Sequence, residues 1–351
     1  MSEEWFNNFK EGGKAKEKLL RVLEETGAPF ENRVHRFFQD KGYRCHDGFY
    51  MHDGVSRQID IIARRQVQLN TKNELNVFLN IIFVGDCKYT YQNLSYFLFK
   101  PNVQKLPNLL IGMPVLTNGE RMSYSIHEGG MSTPDFNKIW GDVIIADKIV
   151  QIETANFFKK DEEEKFGINK QRGEEKEKKY KSLYEYCNQQ IMPALKYYYL
   201  NNRKYVSIDY NAIENQIGAL LENRADYIGG SFPIFLIVPV IVTNKNIYDV
   251  IFENNGEIKD VEETGYCVYL HAPNEHEKFK QVLWNRWEQP IFIIDFNKID
   301  SFFKCFEMGI EKIKNEIEIN INKNPVRIVH DMIKFKEEEK VLDRQKYGEV
   351  D

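Results

Sequence analysis

Residues 76–90 read NVFLNIIFVGDCKYT, and this stretch combines a strong structural signal with a strong chemical one. Its first ten residues are mostly apolar, which is typical of a strand that is buried on both faces of a sheet. The strand ends in GDCKY, where a charged residue stands on either side of Cys87. Because side chains alternate along a strand, we expect Asp86 and Lys88 on one face of the sheet and Cys87 on the other.

A second acid lies upstream in RQIDIIARR, residues 57–65, which predicts a partner strand. Asp60 stands there between two isoleucines, and burial of an unpaired carboxylate is costly, so Asp60 needs a partner. The polar residues 70–74 indicate a hairpin or a longer excursion between the two strands. A divalent cation shared by Asp60 and Asp86 would satisfy both acids, with Lys88 close enough to orient or deprotonate a water molecule.

The helical pattern before these strands covers residues 14–41 and predicts two segments that are broken at residues 27–29. The second segment has proline near its start, Glu31 in its first turn and Gly42 as its stop. Its apolar residues form one stripe, which predicts a helix that packs on a sheet: Phe30, Val34, Phe37 and Phe38.

In this order, the helix with Glu31, the acid in QIDIIA and the acid and lysine in GDCKY resemble the core of the PD-(D/E)XK nuclease superfamily, with its Mrr-like and RecB-like members. The resemblance covers about residues 20–115. It implies an α/β fold of the restriction-endonuclease-like type, which is a mixed β-sheet core flanked by helices.

The resemblance also implies roles for single residues. Asp60 and Asp86 would bind Mg²⁺, with Mn²⁺ as the alternative ion, and the backbone carbonyl of Cys87 would add a ligand. Lys88 would serve the attacking water. Such chemistry fits phosphodiester hydrolysis, which needs metal held by oxygen ligands, a positioned water and positive charge where the negative charge develops.

Two further residues are assigned by the resemblance alone. Glu31 would complete the metal shell through water. Gln104, in NVQKL, is the candidate for a glutamine that contacts the site from the following helix. The chain departs from the family pattern in three ways: no proline precedes Asp60, Asp86 replaces the more frequent glutamate, and Asn108 stands where a tyrosine would follow the glutamine.

Composition indicates a charged linker or helix start at 156–181 and a charged tail at 324–351, with a second α/β region at 182–323 between them. The resemblance implies that residues 1–155 are the nuclease core. The second region would serve substrate grip, dimerisation or regulation. Within the core, residues 91–111 are expected to be helical in part.

The composition also bounds the location of the protein. No apolar run approaches the roughly 20 residues that span a bilayer, and the amino-terminal residues lack an apolar signal core. We therefore expect a cytoplasmic protein that does not associate with a membrane. Five cysteines are scattered without a CxxC pair, which favours reduced thiols over a disulfide framework or a structural zinc site. The net charge of −5 argues against a surface that is basic throughout.

The function hypothesis is a Mg²⁺-dependent endonuclease with nucleic acid as its partner and DNA favoured over RNA. By resemblance, cleavage would leave 5′-phosphate and 3′-hydroxyl ends, and by analogy the protein would act in prokaryotic defence or restriction. Alternatives remain open: a nuclease of the same fold that cleaves RNA or needs an activating partner or effector, a homodimer, or a non-catalytic binding or assembly protein in which Asp86 and Lys88 form a structural ion pair.

Weaker signals have ordinary structural interpretations. His35 is expected on the solvent side of its helix, as a surface histidine or within reach of a phosphate. His271 is interpreted as structural. Five cations could line a basic groove or belong to an ordinary solvated surface, and the sequence favours neither: Arg57, Arg64, Arg65, Lys100 and Lys105. For the tyrosines Tyr197, Tyr198 and Tyr199, core packing is favoured over base stacking.

Overall fold

A computed structural model describes residues 14–52, 54–71, 76–89, 94–100, 115–116, 143–153, 183–195, 197–198, 231–272 and 289–323. Its helices are α1 (Lys14–Glu25), α2 (Ala28–Asp40), the short α3 (Leu183–Tyr186), which continues into a π-helical turn (Cys187–Ile191), and α4 (Ile299–Lys323), which follows a 3₁₀ turn (Phe296–Lys298). Its strands are β1 (Arg44–His52), β2 (Val55–Gln68), β3 (Asn76–Lys88), β4 (Leu94–Phe99), β5 (Val115–Leu116), β6 (Ile144–Ala146), β7 (Lys148–Glu153), β8 (Ser231–Thr243), β9 (Ile247–Phe252), β10 (Ile258–Thr264), β11 (Tyr266–His271) and β12 (Gln289–Asp295).

The strands of the described residues form two mixed sheets, so the fold is α/β. The larger sheet has the order β1-β2-β3-β8-β12-β11-β6, with β5 paired to β8, and the smaller sheet has the order β10-β9-β4-β7. β1, β2 and β3 pair antiparallel, as expected of strands joined by short connections, whereas β3 and β8 run parallel along their whole lengths. The doubly buried strand predicted at residues 76–88 therefore lies inside the larger sheet.

The larger sheet takes strands from both sides of the boundary that is expected at residues 156–181. β3 belongs to the amino-terminal region at 1–155, and its parallel partner β8 belongs to the region at 182–323. Strand β6 also returns from the first region to pair with β11 of the second. The two regions share one sheet because long-range strand pairing brings them together, and composition carries no signal for such pairing.

One face of the larger sheet is covered by α2 and α4. The predicted stripe of α2 packs against it, with Phe30, Val34 and Phe38 buried, and the helix is bounded by Gly27 and Gly42, both at positive φ, as its pattern predicts. The aromatic rings meet edge to face, as quadrupolar rings prefer. The ring contacts join α2, β3 and α4 and include Phe37, Phe38, Tyr43, Phe83 and Phe303.

The opposite face is covered by residues 183–195 together with the smaller sheet. The helical segment buries one apolar side, which includes Leu183, Cys187 and Ile191. Asn188 in the same segment lies 3.1 Å, Oδ1 to Nε2, from the fully buried His271 at the end of β11. His271 thus fastens the segment to the sheet, in agreement with its structural interpretation.

Strand β4 replaces part of the helix that was expected at residues 91–111. Along β4, Leu94, Tyr96 and Leu98 are buried, while Phe97 and Phe99 are half-buried. This alternation has the period of a strand, and aromatic residues pack well on a pleated surface. The helical prediction is therefore wrong for residues 94–99, because Tyr96 and Leu98 enter the core shared with the larger sheet. Phe97 and Phe99 pack on aromatic rings of the neighbouring strand β9.

Two expectations from composition concern the whole described part of the chain. No helix in it is long and apolar enough to cross a membrane. All five cysteines lie among the described residues and none of them forms a disulfide there; Cys87, Cys187 and Cys267 are buried.

The close approach of β3 and β8 gives a test of this sheet. A Cβ at Gly85 would overlap the backbone carbonyl of Val240, so Gly85→Ala should lower the free energy of unfolding by about 2–3 kcal/mol, measured by urea denaturation. Gly256→Ala is the control, since Gly256 has open space and only a positive φ, which costs about 1 kcal/mol. Equal stability of Gly85→Ala and the wild type would contradict the parallel pairing.

Candidate active site

The candidate site lies where the pairing of β2 and β3 ends. The last aligned pair is Ile61 with Gly85, so Asp60 and Asp86 are the next residues on the two strands. Gly85 lets the backbone of β8 approach at this point. The two acids that are widely separated in sequence therefore start from adjacent positions.

A β-bulge turns Asp60 toward the site. Between the pairs His46–Ile62 and Gly48–Ile59, two residues of β2, Asp60 and Ile61, stand opposite one residue of β1. Bulges bend a strand and re-aim side chains, and they are frequent beside active sites. As a result, Ile59 and Ile61 enter cores on opposite faces of the sheet although they are two residues apart.

The side-chain carboxyl and the backbone carbonyl of Asp60 each accept a hydrogen bond. Its Oδ2 accepts a bond from the backbone N–H of Cys87 at 3.0 Å, which links β2 to the end of β3. Its backbone carbonyl accepts a bond from Nε2 of His35 at 2.6 Å. The expectation of a solvent-facing His35 is wrong: only 17% of its side chain is exposed, because α2 packs this side chain against the bulge.

The carboxyl groups of Asp60 and Asp86 lie within hydrogen-bonding distance of each other. Burial of Asp60, followed by its hydrogen bond with Asp86 and the charge of Asp86, raises the pKa of Asp60 to about 8. Two carboxylates so close cannot both carry a free negative charge at low cost. The pair therefore needs a positive partner between its oxygens, which a proton or a cation can provide.

Lys88 projects from β3 on the same side as Asp86. Its Nζ lies 3.2 Å from Asp86 Oδ2, which agrees with the strand alternation predicted from GDCKY. The exposed fraction of the side chain is 34% for Lys88 and 13% for Asp86. The same ammonium lies 3.3 Å from the centroid of the Tyr186 ring. The Cys87 side chain enters the core on the other face, below α2 and α4, as predicted.

Glu31 approaches the site from the first turn of α2. Burial raises the pKa of its carboxyl, and the charges of Asp60 and Asp47 raise it further. Glu31 is therefore close enough to Asp60 for electrostatic repulsion, and a cation bound between them would relieve that repulsion. Gln104, the remaining candidate, lies outside the described residues.

The carboxylates of the site determine which divalent metal it can hold. Among the described residues, no three side chains of His, Cys, Asp or Glu come together as a metal-binding cluster. The site instead presents two adjacent carboxylates, with Glu31 further away. Mg²⁺ commonly keeps several water ligands and is bound through one or two carboxylates, so Asp60 and Asp86 fit this ion.

Three of the five cations considered for a basic groove have partners within the protein. Arg65 lies 2.6 Å from Glu307 and Lys100 lies 2.6 Å from Asp249, nitrogen to oxygen, so both ion pairs fix structure. Arg57 donates a bond to the backbone carbonyl of Gln189, and Lys105 lies outside the described residues. Tyr198 is buried and donates a bond to the carbonyl of Phe49, which agrees with core packing.

Sequence reasoning missed two residues that contact the site, His35 and Tyr186. A signal for His35 exists in its spacing from Glu31, since residues four apart share a helix face. No such signal exists for Tyr186, because only the folded sheet brings its segment to Lys88.

Comparison of the chain with models of known protein families, with curated proteins and with solved structures found no match.

The raised pKa of Asp60 makes stability depend on pH. The folded protein keeps a proton on Asp60 up to about pH 8, whereas the unfolded chain loses it near the ordinary aspartate pKa. Since the folded state binds more protons in this window, the free energy of unfolding should fall as the pH rises from about 4 to about 8. Urea denaturation in EDTA at pH 5 and pH 8 measures this slope.

Asp60→Asn should flatten that slope, because the amide does not titrate. The control is Asp300→Asn, at a side chain that is 77% exposed, which should leave the slope as in the wild type. An Asp60→Asn variant with an unchanged slope would show that Asp60 does not hold the proton.

Proposed function

We propose that this protein is a metal-dependent nuclease that hydrolyses phosphodiester bonds in nucleic acid, with DNA as the favoured substrate. One observation carries the proposal: the carboxyl groups of Asp60 and Asp86 lie within hydrogen-bonding distance, and the Lys88 ammonium lies 3.2 Å from Asp86. This arrangement combines oxygen ligands for a divalent cation with a positive group beside them.

In the proposed mechanism, Asp60 and Asp86 would hold Mg²⁺, or Mn²⁺ in its place, and Glu31 would contribute through a bound water. The Cys87 carbonyl remains the ligand implied by the resemblance. When bound, the metal supplies Lewis-acid activation of a water and of the phosphate. To hold the metal, Asp60 would have to give up the proton that its raised pKa retains in the metal-free site.

Lys88 orients the attacking water and places positive charge beside the phosphate oxygens, where negative charge increases in the transition state. Hydrogen bonds from His35 and from the Cys87 N–H hold the orientation of Asp60. The Asp60 carboxyl group is therefore already oriented for metal binding before the metal arrives. The chain's own groups thus bind, orient and neutralise charge.

The mixed sheet flanked by helices is compatible with the restriction-endonuclease-like core that the resemblance implies. The Mrr-like or RecB-like assignment, the 5′-phosphate and 3′-hydroxyl products, and a role in prokaryotic defence remain part of this proposal. So does activation by an effector or a partner, which would act through the same site.

The ion pair between Asp86 and Lys88 favours one alternative, a non-catalytic protein in which this pair is structural. An ion pair alone satisfies Asp86, but it leaves Asp60 beside it with a shared proton. The two functions therefore differ in their response to metal: a carboxylate pair gains stability on binding a cation, whereas a satisfied ion pair does not.

Mg²⁺ or Mn²⁺ should stabilise the protein against thermal unfolding. A ligand that binds only the folded state at roughly 100 times its Kd stabilises by about 2.7 kcal/mol, which raises Tm measurably. Asp60→Asn and Asp86→Asn should abolish the rise, while Asp300→Asn should keep it. If neither ion raises the Tm of the wild type, the proposed metal site is refuted.

Incubation with duplex DNA, single-stranded DNA and RNA tests the activity itself. We expect cleavage with Mg²⁺, none with EDTA, and a loss of roughly 100-fold or more in Lys88→Ala, because a group that stabilises the transition state is removed. Lys304→Ala, at an exposed position of α4, is the matched control and should cleave like the wild type. Cleavage that survives both EDTA and Lys88→Ala would refute the mechanism.

A further inference from the structure

The Lys88 ammonium has two partners in the structure. One is Asp86, whose Oδ2 lies 3.2 Å from Nζ, and the other is the ring of Tyr186, whose centroid lies 3.3 Å from Nζ. A cation above the face of an aromatic ring is attracted by the ring quadrupole, and the attraction grows when water is excluded. Tyr186 is half-buried, so this contact is partly shielded.

The segment that carries Tyr186 is firmly anchored. Leu183, Cys187 and Ile191 are at most 4% exposed and enter the core below the sheet. Gln190 accepts a hydrogen bond from the buried Tyr50 of β1 at 3.0 Å, Oη to Oε1. The ring of Tyr186 is therefore presented to Lys88 from a fixed base.

The backbone of this segment is unusual at the same place. Residues Cys187–Ile191 form a π-helical turn immediately after Tyr186. Single π-turns are rare and occur frequently at functional sites, where the extra residue changes which side chains face a neighbour. Here Tyr186 faces Lys88, while Gln190 faces Tyr50.

We propose that Tyr186 is a positioning residue for Lys88: its ring face holds the ammonium beside the carboxylate pair when Asp86 is occupied by metal. The inference rests on the proposed function. In the metal-free site, Asp86 attracts Lys88, but a cation on Asp86 offsets that attraction and repels the ammonium. The ring of Tyr186 is neutral and binds no metal, so its attraction remains.

The ring carries this role, and the hydroxyl does not. The Tyr186 hydroxyl oxygen is buried without a hydrogen-bond partner among the described residues. A buried hydroxyl without a partner contributes nothing favourable, so its removal should be tolerated. Phenylalanine keeps the ring face, whereas leucine keeps only apolar volume. The pair of variants Tyr186→Phe and Tyr186→Leu therefore separates the cation–π contact from packing.

The first readout is spectroscopic and needs no enzymatic activity. Reductive methylation of the full chain with ¹³C-formaldehyde turns lysines into dimethyl-lysines that keep their charge, and aromatic faces bind methylated ammonium groups well. Lys88→Arg identifies the Lys88 resonance by its absence. That resonance should be shifted upfield by the Tyr186 ring current, both in EDTA and with Mg²⁺.

The shift should persist in Tyr186→Phe and disappear in Tyr186→Leu. The matched control is Tyr184→Leu, which removes an aromatic ring of the same segment that lies 5.0 Å from the His271 ring, centroid to centroid. Tyr184→Leu should leave the Lys88 resonance in place. An unshifted Lys88 resonance in the wild type with Mg²⁺, or a shifted one in Tyr186→Leu, would overturn the positioning role.

The second readout is cleavage by the unmethylated proteins. Tyr186→Leu should lower kcat roughly tenfold or more with little change in KM, because a misplaced catalytic group affects the chemical step, and Tyr186→Phe should restore the rate. If the wild type neither binds metal nor cleaves, the proposed function fails, and positioning for catalysis fails with it. If the wild type cleaves and Tyr186→Leu matches it in kcat, the positioning role alone is refuted.

Discussion

The close approach of two carboxyl groups, where the pairing of β2 and β3 ends, is the constraint on which the site depends. Asp60 and Asp86 lie within hydrogen-bonding distance in a partly buried setting, and this raises the pKa of Asp60. The surrounding groups hold the pair in place: the bulge aims Asp60, the Cys87 N–H and His35 fasten it, and Lys88 balances part of the charge. Two carboxyl groups this close cannot both carry an uncompensated negative charge at low cost, so the pair favours a proton or a cation between its oxygens.

The rest of the fold supplies that fixed geometry from distant parts of the chain. β8 pairs with all of β3 and approaches it closely at Gly85. This pairing fixes the position of the strand end that carries Asp86 and Lys88. Residues 183–195 cover the face toward which these two side chains project. The region after residue 182 is thus structural support for the candidate site, whatever further role it has in substrate grip, dimerisation or regulation.

Local patterns predicted the part of the site that depends on neighbouring residues. The period of α2, its glycine boundaries, the buried strand at residues 76–88 and the shared side of Asp86 and Lys88 follow from side-chain periodicity and turn chemistry. The remaining features depend on contacts between distant residues. The bulge at Asp60 needs β1 as a partner, β4 needs a second sheet, and Tyr186 needs the parallel pairing that unites both halves of the chain. No local pattern records these pairings.

Metal between the two carboxyl groups is therefore the point that matters most for this account. Crystals of the protein grown with Mn²⁺, measured at a wavelength where manganese scatters anomalously, would locate the ion. We expect an anomalous peak within about 2.0–2.2 Å of oxygen atoms from both Asp60 and Asp86, a distance typical of such small divalent ions. If crystals grown at saturating Mn²⁺ show no peak there, and Lys88 is still paired to Asp86 with the two acids sharing a proton, the proposed metal site is contradicted.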